Sequence, residues 1–256
     1  MKISQAGRTG YRAPALERGL DVLEFLARDA PRTQTEIARG LGKGPSEVFR
    51  MLAILEARGY IVKAPESGAY SLTLKLFAMS HLHSPYSVLV SAAAQPMRAL
   101  AQSIRESCHL TILAGSEALV LAQQPSPAPV QVSVEPGALF PAFRTASGRL
   151  LLSLSDPAAL AETLSSHPAY SELRPSGRKT VLARIAAAGR RGYEDAEEET
   201  YQGVYDLAVL IGSPGSPVVA ALTAACLARK PRETRPALLE PLRACAARIA
   251  EKAGLA

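Results

Sequence analysis

The stretch TQTEIARGLGKGPSEVFRMLAILEARGY, residues 33–60, predicts two short helices joined by a tight turn. Thr33 is placed to cap the first helix, in which Ile37, Ala38 and Leu41 recur at helical spacing and would face a core. The permissive backbone that a sharp turn requires is supplied by three glycines, Gly40, Gly42 and Gly44.

The second helix is predicted to open at Pro45 and to bury one face. Its apolar stripe is expected to consist of Val48, Phe49, Leu52 and Leu55. The opposite face carries side chains that are small or polar enough to lie against base edges, namely Ser46, Glu47, Arg50 and Ala53. Residues 61–74 then alternate around a Pro-Glu-Ser-Gly turn, which predicts a two-stranded ribbon.

An amphipathic helix is predicted over residues 15–30, where it would complete a three-helix core. Its apolar face is expected to hold Leu16, Leu20, Leu23 and either Leu26 or Ala27. A helix, a turn, a second helix and a hairpin, in this order, are typical of a winged helix-turn-helix. We therefore expect residues 15–76 to form a DNA-binding domain and residues 1–14 to form a flexible basic tail.

The predicted DNA contacts follow from the side chains around the second helix. Arg50, and Lys43 just before the helix, are expected to contact phosphate or guanine. Ser46 and Glu47 are expected to probe base edges. The remaining predicted contacts lie at the helix starts and in the ribbon: Thr33, Gln34, Gly44, Lys63 and Ser67. The simpler alternative is an ordinary buried helix with a solvated polar face.

Two further expectations concern the edges of this surface. Tyr70 is expected beside Lys63 and Ser67 in the ribbon, near a neighbouring DNA backbone. Arg8 and Arg12 are expected either to enter a minor groove or to belong to a disordered tail.

The charge balance favours an anionic partner. The 256 residues carry a net charge of +6, with 48% hydrophobic and 20% charged residues, which is typical of a globular protein. Residues 1–75 hold 12 Lys and Arg against 8 Asp and Glu, whereas the remainder holds 17 against 15. Most of the excess therefore lies before residue 76, but Lys2, Arg8 and Arg12 of the predicted tail supply three of those four charges, so the folded head is only mildly basic. Whether this charge meets DNA depends on where the side chains of four residues point, namely Lys43, Arg50, Lys63 and Lys75.

The sequence also bears on the cellular compartment. Three widely spaced cysteines, Cys108, Cys226 and Cys245, favour reduced thiols in a cytoplasm over a disulfide framework. Apolar runs are short and interrupted, and the N-terminal residues have no apolar block, so neither a membrane span nor a signal peptide is expected.

The remaining sequence predicts an α+β domain on an antiparallel sheet. Residues 77–106 are expected to form linker and dimerisation helices, with a long helix over 88–106 that Pro96 kinks or restarts. Within residues 107–256, strands are predicted over 108–124 as a hairpin, over 130–134, over 203–211 and over 218–225. Helices are predicted over 147–154, 157–165, 181–191 and 237–253. Hairpin connections favour an antiparallel sheet with helices packed on it.

The chain closely resembles the IclR family of bacterial transcriptional regulators over residues 15–253. The motifs that carry the resemblance are TQTEIARGLG (33–42), SEVFRMLAILEARGYI (46–61), FRTASGRLLLS (143–153), RRGYEDAEEE (190–199), GVYDLAVLI (203–211) and VVAALTAA (218–225). The resemblance implies a GAF-like effector domain over residues 107–256 and a dimer, or dimer of dimers, on double-stranded operator DNA. It implies a regulator that senses a small organic acid or related metabolite.

The resemblance also implies an effector pocket around the start of a helix at Thr145, where free backbone N–H groups favour an anion. Carried over by position, the pocket holds Phe140, Ala146, Ser147, Val204, Asp206, Thr223 and Ala225. Tyr205, like Phe140, would add aromatic lining if it points inward. Asp206 stands where many family members have a small thiol, Ala225 where a hydroxyl is frequent and Ala196 where some have an acid. An ionised Asp206 would repel an acidic ligand unless it is protonated, turned away or paired.

Other chemistry finds little support in the sequence. His81, His83 and His109 with Cys108 lack a compact ligand motif, so no metal is expected. Cys108 lies among apolar neighbours and is expected to be core, and the acid run 197–199 is expected to be a solvated face. Because no nucleophile–base set or phosphate loop emerges, neither catalytic residues nor a cofactor are expected. The alternatives are a small-molecule enzyme and a DNA-binding module whose second domain serves only for assembly.

Overall fold

The computed structural model describes residues 13–82, 85–213, 216, 218–228 and 237–255, and the chain divides into two compact units at residues 84–85. We call the described residues before this point the head and those after it the C-terminal unit. The predicted basic tail, with Arg8 and Arg12, lies almost entirely outside the described residues, as do His83 and the side chain of His81.

The head has the architecture of a winged helix-turn-helix, as predicted. Its elements are α1 (Pro14–Arg28), β1 (Arg32–Thr33), α2 (Gln34–Leu41), α3 (Pro45–Ala57), β2 (Ile61–Lys63), β3 (Ala69–Leu72) and α4 (Lys75–Leu82). The strands pair antiparallel in the order β1–β3–β2. The short strand β1 adds a third member to the predicted ribbon, and its two residues are too few for any sequence pattern to show.

Helix α1 packs on the rest of the head through its C-terminal half. Val22 and Leu26 are buried, and Leu23 and Phe25 pack against them. Leu16 and Leu20 are instead 64% and 50% exposed, so the prediction that they face the core is wrong. Because successive residues turn by about 100° around a helix, Leu16 and Leu20 lie on a stripe beside the one that Val22 and Leu26 define.

Local hydrogen bonding fixes the start and the end of α2. Thr33 and Glu36 form a capping box, in which the Thr33 N–H donates to Glu36 Oε2 at 2.7 Å. Gly42 ends the helix in the left-handed region, with φ of +62°. Gly40 lies inside α2 rather than in the turn, and a Cβ there would clash with the ring of Phe25. Its role is the close approach of α1 and α2.

Helix α3 begins at Pro45, as predicted, but its buried stripe is shifted. Val48 and Leu52 are buried, and Met51 and Leu55 pack against the same core. Phe49 is 53% exposed, so its assignment to the core is wrong. Because successive residues turn by about 100° around a helix, Phe49 lies beside the stripe that Val48 and Leu52 define.

The C-terminal unit is an antiparallel α+β domain. Its elements are α5 (Pro85–Ile104), β4 (Ser107–Ala114), β5 (Glu117–Gln124), β6 (Leu139–Pro141), a 3-10 turn (Ala142–Arg144), α6 (Ala146–Leu152), α7 (Pro157–Ser165), α8 (Pro168–Ser171), α9 (Pro175–Arg191), β7 (Tyr193–Glu197), β8 (Val204–Ile211), β9 (Ala220–Leu227) and α10 (Leu239–Ala253). The strands form a six-stranded antiparallel sheet in the order β6–β5–β4–β9–β8–β7. This confirms the predicted fold class.

The two faces of the sheet pack against different helices, because alternate residues of a strand point to opposite sides. On one face Leu110, Leu207 and Leu222 join the largest core, with α5 and α10. On the other face Ala208 packs with α6 and α9 in a smaller core. The polar residues of β4 and β9 also lie on this second face.

Helix α5 buries its apolar face within the C-terminal unit. The buried residues are Leu89, Ala93, Met97, Leu100 and Ala101. They pack against β4, β5 and α10, and Lys252 of α10 donates to Gln95 Oε1 at 2.7 Å. The helix continues through Pro96. Its apolar spacing therefore reflects packing within the chain, and it is no evidence for a dimerisation helix.

Residues 130–134 do not form the predicted strand. Val130 is 67% exposed, and the segment is held by side-chain contacts. Gln123 Oε1 accepts from the Val134 N–H at 2.9 Å, and the Gln123 amide donates to the Ser133 hydroxyl. The edge of the sheet next to β5 is taken by β6 instead, with Phe140 opposite Ala118.

Candidate DNA-binding surface and effector pocket

Helix α3 presents an exposed stripe opposite its buried one. Ser46, Phe49, Arg50 and Ala53 are all exposed and follow one another at spacings of three, one and three residues. Lys43 is exposed just before the helix. The stripe therefore combines a cation, a hydroxyl, an aromatic ring and a methyl group along one side of the helix.

Glu47 does not belong to this exposed stripe. Its side chain is 28% exposed and forms an ion pair with Arg18 of α1. Gln34 likewise turns inward, and its amide Nε2 donates to the Pro45 carbonyl at 3.1 Å, which joins the starts of α2 and α3. The structure therefore contradicts the predicted placement of Glu47 on the face of Ser46 and Arg50. It acts as an anchor between α1 and α3.

In the wing, Lys63 is exposed and its Nζ lies 5.5 Å from the centre of the Tyr70 ring. Ser67 is exposed at the turn, where its hydroxyl accepts from the Ala69 N–H at 3.3 Å. Tyr70 itself is only 3% exposed, so the expectation that it lies on the surface is wrong. Lys75 is tied back by a hydrogen bond to the Arg58 carbonyl. Lys63 is thus an exposed cation of the wing that is not hydrogen-bonded back to the head in the described residues.

The C-terminal unit contains a pocket on the second face of the sheet. Six of the eight predicted effector-site residues line it: Phe140, Ala146, Ser147, Val204, Asp206 and Thr223. Tyr205 does not, because it alternates with Asp206 and is buried in the core on the opposite face. Ala225 pairs with Asp206 across the ladder but is buried outside the pocket lining.

Nine further residues complete the lining: His109, Thr111, Ala118, Val120, Val132, Val134, Thr145, Thr200 and Tyr201. The alternation of β4 provides the clue that would have found two of them. His109 lies directly opposite Thr223 in the ladder, and Thr111 follows two residues later on the same face. A polar residue at every second position of a buried strand indicates a polar cavity beside it.

The floor of the pocket contains hydroxyl groups without a partner. Thr111 and Thr223 are each 1% exposed, and their Oγ1 atoms make no hydrogen bond within the described residues. The buried Oγ1 of Thr200, at the pocket wall, is in the same state. An unsatisfied buried hydroxyl costs about 1–3 kcal/mol. Three such groups around one cavity indicate a site built for a polar ligand.

Burial shifts the two titratable groups of the floor towards their neutral forms. It raises the pKa of the Asp206 carboxyl to about 7, with Arg149 opposing the shift and Glu199 adding to it. It lowers the pKa of His109 to about 4, so the imidazole is neutral at neutral pH. The Asp206 carboxylate forms no hydrogen bond among the described residues. A ligand that donates a hydrogen bond would provide one.

The start of α6 is capped by Thr145. Thr145 Oγ1 accepts from the Gly148 N–H at 3.0 Å, and Ser147 Oγ lies 3.5 Å from the same atom. A Cβ at Gly148 would clash with the backbone of Ala142, so this glycine permits the close packing of α6 on the preceding turn.

Two family models match this chain. The model for the bacterial transcriptional regulator IclR C-terminal domain matches residues 86–251, and that for the IclR helix-turn-helix domain matches residues 15–65. The chain belongs to the IclR family. It is thus a DNA-binding transcriptional regulator with an effector-binding C-terminal domain, not an enzyme.

Individual IclR relatives agree with this assignment. The chain is 27% identical to the transcriptional regulator XynR of Escherichia coli over 217 residues, which cover 83% of this chain and 86% of XynR. It is 29% identical to the glycerol operon regulatory protein of Streptomyces coelicolor over 248 residues, 94% of this chain and 96% of that protein. An IclR homologue from Microbacterium hydrocarbonoxydans, complexed with 4-hydroxybenzoate, has the same fold, with a TM-score of 0.78 at 24% identity over 94% of this chain and all of that one.

A buried ion-pair network supports the pocket of this IclR regulator. Glu194 of β7 is completely buried and accepts from Arg149 Nε at 2.9 Å and from Arg184 Nη2 at 2.7 Å. Arg191 pairs with the same carboxylate. Arg149, 2% exposed, also donates to Glu199 at 2.8 Å. The prediction that the acid run is only a solvated face is therefore wrong for Glu199.

The network reaches the pocket directly. Glu199 is followed in the chain by Thr200 and Tyr201, both of which line the cavity. Its ion pairs with Arg149 and Arg184 hold the start of this wall segment to α6 and α9. Sequence reasoning missed this because Arg149 and Glu194 are 45 residues apart.

The other chemistries weighed from the sequence gain no support in the described parts of the chain. No group of three or more His, Cys, Asp or Glu is arranged there to hold a metal ion. Cys108 is fully buried, its Sγ lies 3.5 Å from the Met97 carbonyl, and burial raises its pKa to about 12. None of the helices among these residues combines the length and apolar content needed to span a bilayer.

Proposed function

We propose that this regulator senses a small organic acid that also carries hydroxyl or amino groups, and that binding changes its affinity for operator DNA. The observation that carries the proposal is the pocket floor, where Asp206 lies near the unpartnered hydroxyls of Thr111 and Thr223. A ligand with hydroxyl or amino groups would supply hydrogen bonds to all three. The proposed site of action is the cytoplasm.

The acid end of the ligand is proposed to lie at the start of α6. Ala146 and Ser147 line the pocket there, and the first backbone N–H groups of a helix suit a negative charge. Phe140 and Val204 would contact the apolar body of the ligand. The two polar ends then match two kinds of group, N–H donors at α6 and acceptors at Asp206. Hydroxylated aromatic acids and sugar acids fit this pattern.

A thermal-stability screen tests the proposal. The panel consists of simple carboxylates, hydroxylated aromatic acids and sugar acids, beginning with 4-hydroxybenzoate, the ligand of the Microbacterium homologue. A ligand at about one hundred times its Kd is expected to stabilise the protein by about 2.7 kcal/mol. Simple carboxylates without donors are the control and are expected to give smaller shifts. If no compound raises the melting temperature, the alternative of a C-terminal unit used only for assembly is favoured.

For the head, we propose that α3 lies in the major groove with Ser46 and Arg50 towards the bases and that Lys43, Lys63 and Ser67 contact phosphates. Thr33, Gln34 and Gly44 are proposed to shape this surface, since the first two hold the starts of α2 and α3. The support is the exposure of the whole stripe on α3.

We predict that Arg50→Ala weakens operator binding and leaves folding intact, because Arg50 is exposed. Loss of a base contact should cost about 1–3 kcal/mol and relax the sequence preference, whereas loss of a phosphate contact should weaken all sequences alike. Fluorescence anisotropy at several salt concentrations measures both. Arg28→Ala, which removes an exposed arginine of α1, is the control. Unchanged affinity in Arg50→Ala would remove this residue from the interface.

We also predict that the protein is at least a dimer in solution and that its operator is a near-palindrome. Helix α5 gives no reason for pairing, but the head does. Leu74, Phe77 and Met79, close together in the chain at the start of α4, are 79%, 61% and 46% exposed, and exposed apolar side chains favour association when they adjoin one another. Light scattering at micromolar concentration measures the mass, and a monomer would contradict the prediction.

A further inference from the structure

The exposed stripe of α3 contains a side chain that the charged contacts do not explain. Phe49 stands between Ser46 and Ala53 on the exposed side, next to Arg50, and is 53% exposed. The head core is filled without it, by Val48 and Leu52 from the same helix. A half-exposed ring at this place contributes little to packing.

The chemistry of the ring limits what it can recognise. A phenyl ring neither donates nor accepts a conventional hydrogen bond, and it gains nothing from a phosphate oxygen. The edges of the bases in the major groove are polar except for one group, the C5-methyl of thymine, against which apolar side chains pack. Arg50 beside it provides the charge that draws this side of α3 towards DNA.

We propose that Phe49 is a specificity-determining residue that packs against a thymine methyl group in the operator. The proposal rests on the placement of α3 in the major groove proposed above. Ala53, one turn further along, leaves room for the base pair to approach the ring. Operators should therefore contain a thymine at a fixed position in each half-site, beside the position that Arg50 contacts.

Replacing thymine by deoxyuridine tests this, because it removes the methyl group and keeps every hydrogen-bonding atom of the base. Duplexes that bind the full-length protein are first selected from a random pool, and each thymine is then replaced singly. At one position per half-site the wild type is expected to lose about fourfold in affinity, the value of one buried methyl-sized group. Phe49→Ala is expected to bind both duplexes equally at that position.

Leu20→Ala is the control, because it truncates an apolar side chain of similar exposure, 50%, that belongs to α1 rather than to α3. It is expected to keep the discrimination. The proposal is overturned if the wild type tolerates deoxyuridine at every position, or if the loss persists in Phe49→Ala. Should Arg50→Ala weaken binding while deoxyuridine has no effect, the role of Phe49 alone is refuted. Should neither change matter, the placement of α3 fails with it.

Discussion

Replacing Glu194 by alanine is expected to lower the free energy of unfolding by about 3–5 kcal/mol, the usual cost of removing one partner of a buried ion pair. Glu194 is completely buried and Arg149 is 2% exposed. Without the carboxylate, Arg149 would keep a buried positive charge, and the partly exposed Glu199 would be its remaining ion-pair partner. Arg184 and Arg191 would add unbalanced positive charge around the same place.

Urea-induced unfolding of the full chain, followed by circular dichroism, measures this effect. Glu240→Ala makes the same chemical change at a carboxylate that is 81% exposed and pairs with the partly exposed Arg243, and exposed ion pairs contribute about 0–1 kcal/mol. It is the matched control and should unfold close to the wild type. If Glu194→Ala also unfolds within about 1 kcal/mol of the wild type, the network does not stabilise the protein.

Asp206→Asn is expected to weaken the binding of a hydroxylated or amino acid ligand by about 1.5–3 kcal/mol, the usual value of a hydrogen bond to a charged group. The ionised carboxylate accepts a donor more strongly than the neutral amide does. Calorimetry with one ligand identified in the thermal screen measures the difference. Asp195→Asn is the matched control, because it makes the same chemical change on β7, at a carboxylate that is 40% exposed and outside the pocket.

The direction of the pH dependence follows from the pKa of Asp206, which is about 7 in the folded protein against the ordinary 3.8. A donor ligand prefers the ionised form, so its affinity is full above about pH 7 and falls by up to about tenfold per pH unit below it. Asp206→Asn should abolish this dependence. If the variant instead binds more tightly and wild-type affinity rises as the pH falls, the ligand places its acid against Asp206. Equal affinities at all pH values would show that Asp206 does not contact the ligand.

The same pKa predicts an opposite effect on stability. A carboxyl group whose folded pKa is raised stabilises the fold fully below its unfolded pKa, and this contribution is lost as the pH rises through the folded pKa. For Asp206 that window runs from 3.8 to about 7. Asp206→Asn should therefore raise the melting temperature of the unliganded protein at about pH 8 more than at about pH 5. Ligand binding thus favours aspartate at position 206, whereas the stability of the unliganded protein at alkaline pH favours asparagine.

The sequence predicted the helix-turn-helix well because its information is local. Thr33 and Gly42 determine where α2 starts and ends, and Pro45 determines where α3 starts. The sequence was less informative about which side of each helix is buried. A period of 3.6 residues identifies the apolar positions, but neighbouring stripes on one helix compete, and only packing decides between them. The predictions that Phe49 and Leu20 face the core were wrong for this reason.

The pocket illustrates the limit of such local reasoning. Motif positions assigned Asp206 and Thr223 to one site, and both line the pocket, but they could not show that β4 supplies His109 and Thr111, because strand order is a long-range property. The network around Glu194 was missed for the same reason. Its members come from α6, α9 and β7, and their pairing appears only once these elements are packed.

The division of the sheet into two faces has a consequence for how this protein can evolve. On β8, Tyr205 and Leu207 pack in the core, whereas Val204 and Asp206 line the pocket. Substitution at every second position of one strand can therefore change the lining of the pocket, while the residues that pack in the core stay the same. Library mutagenesis limited to the pocket-facing positions of β4, β8 and β9 would change the lining of the pocket and keep the core side chains of the same strands.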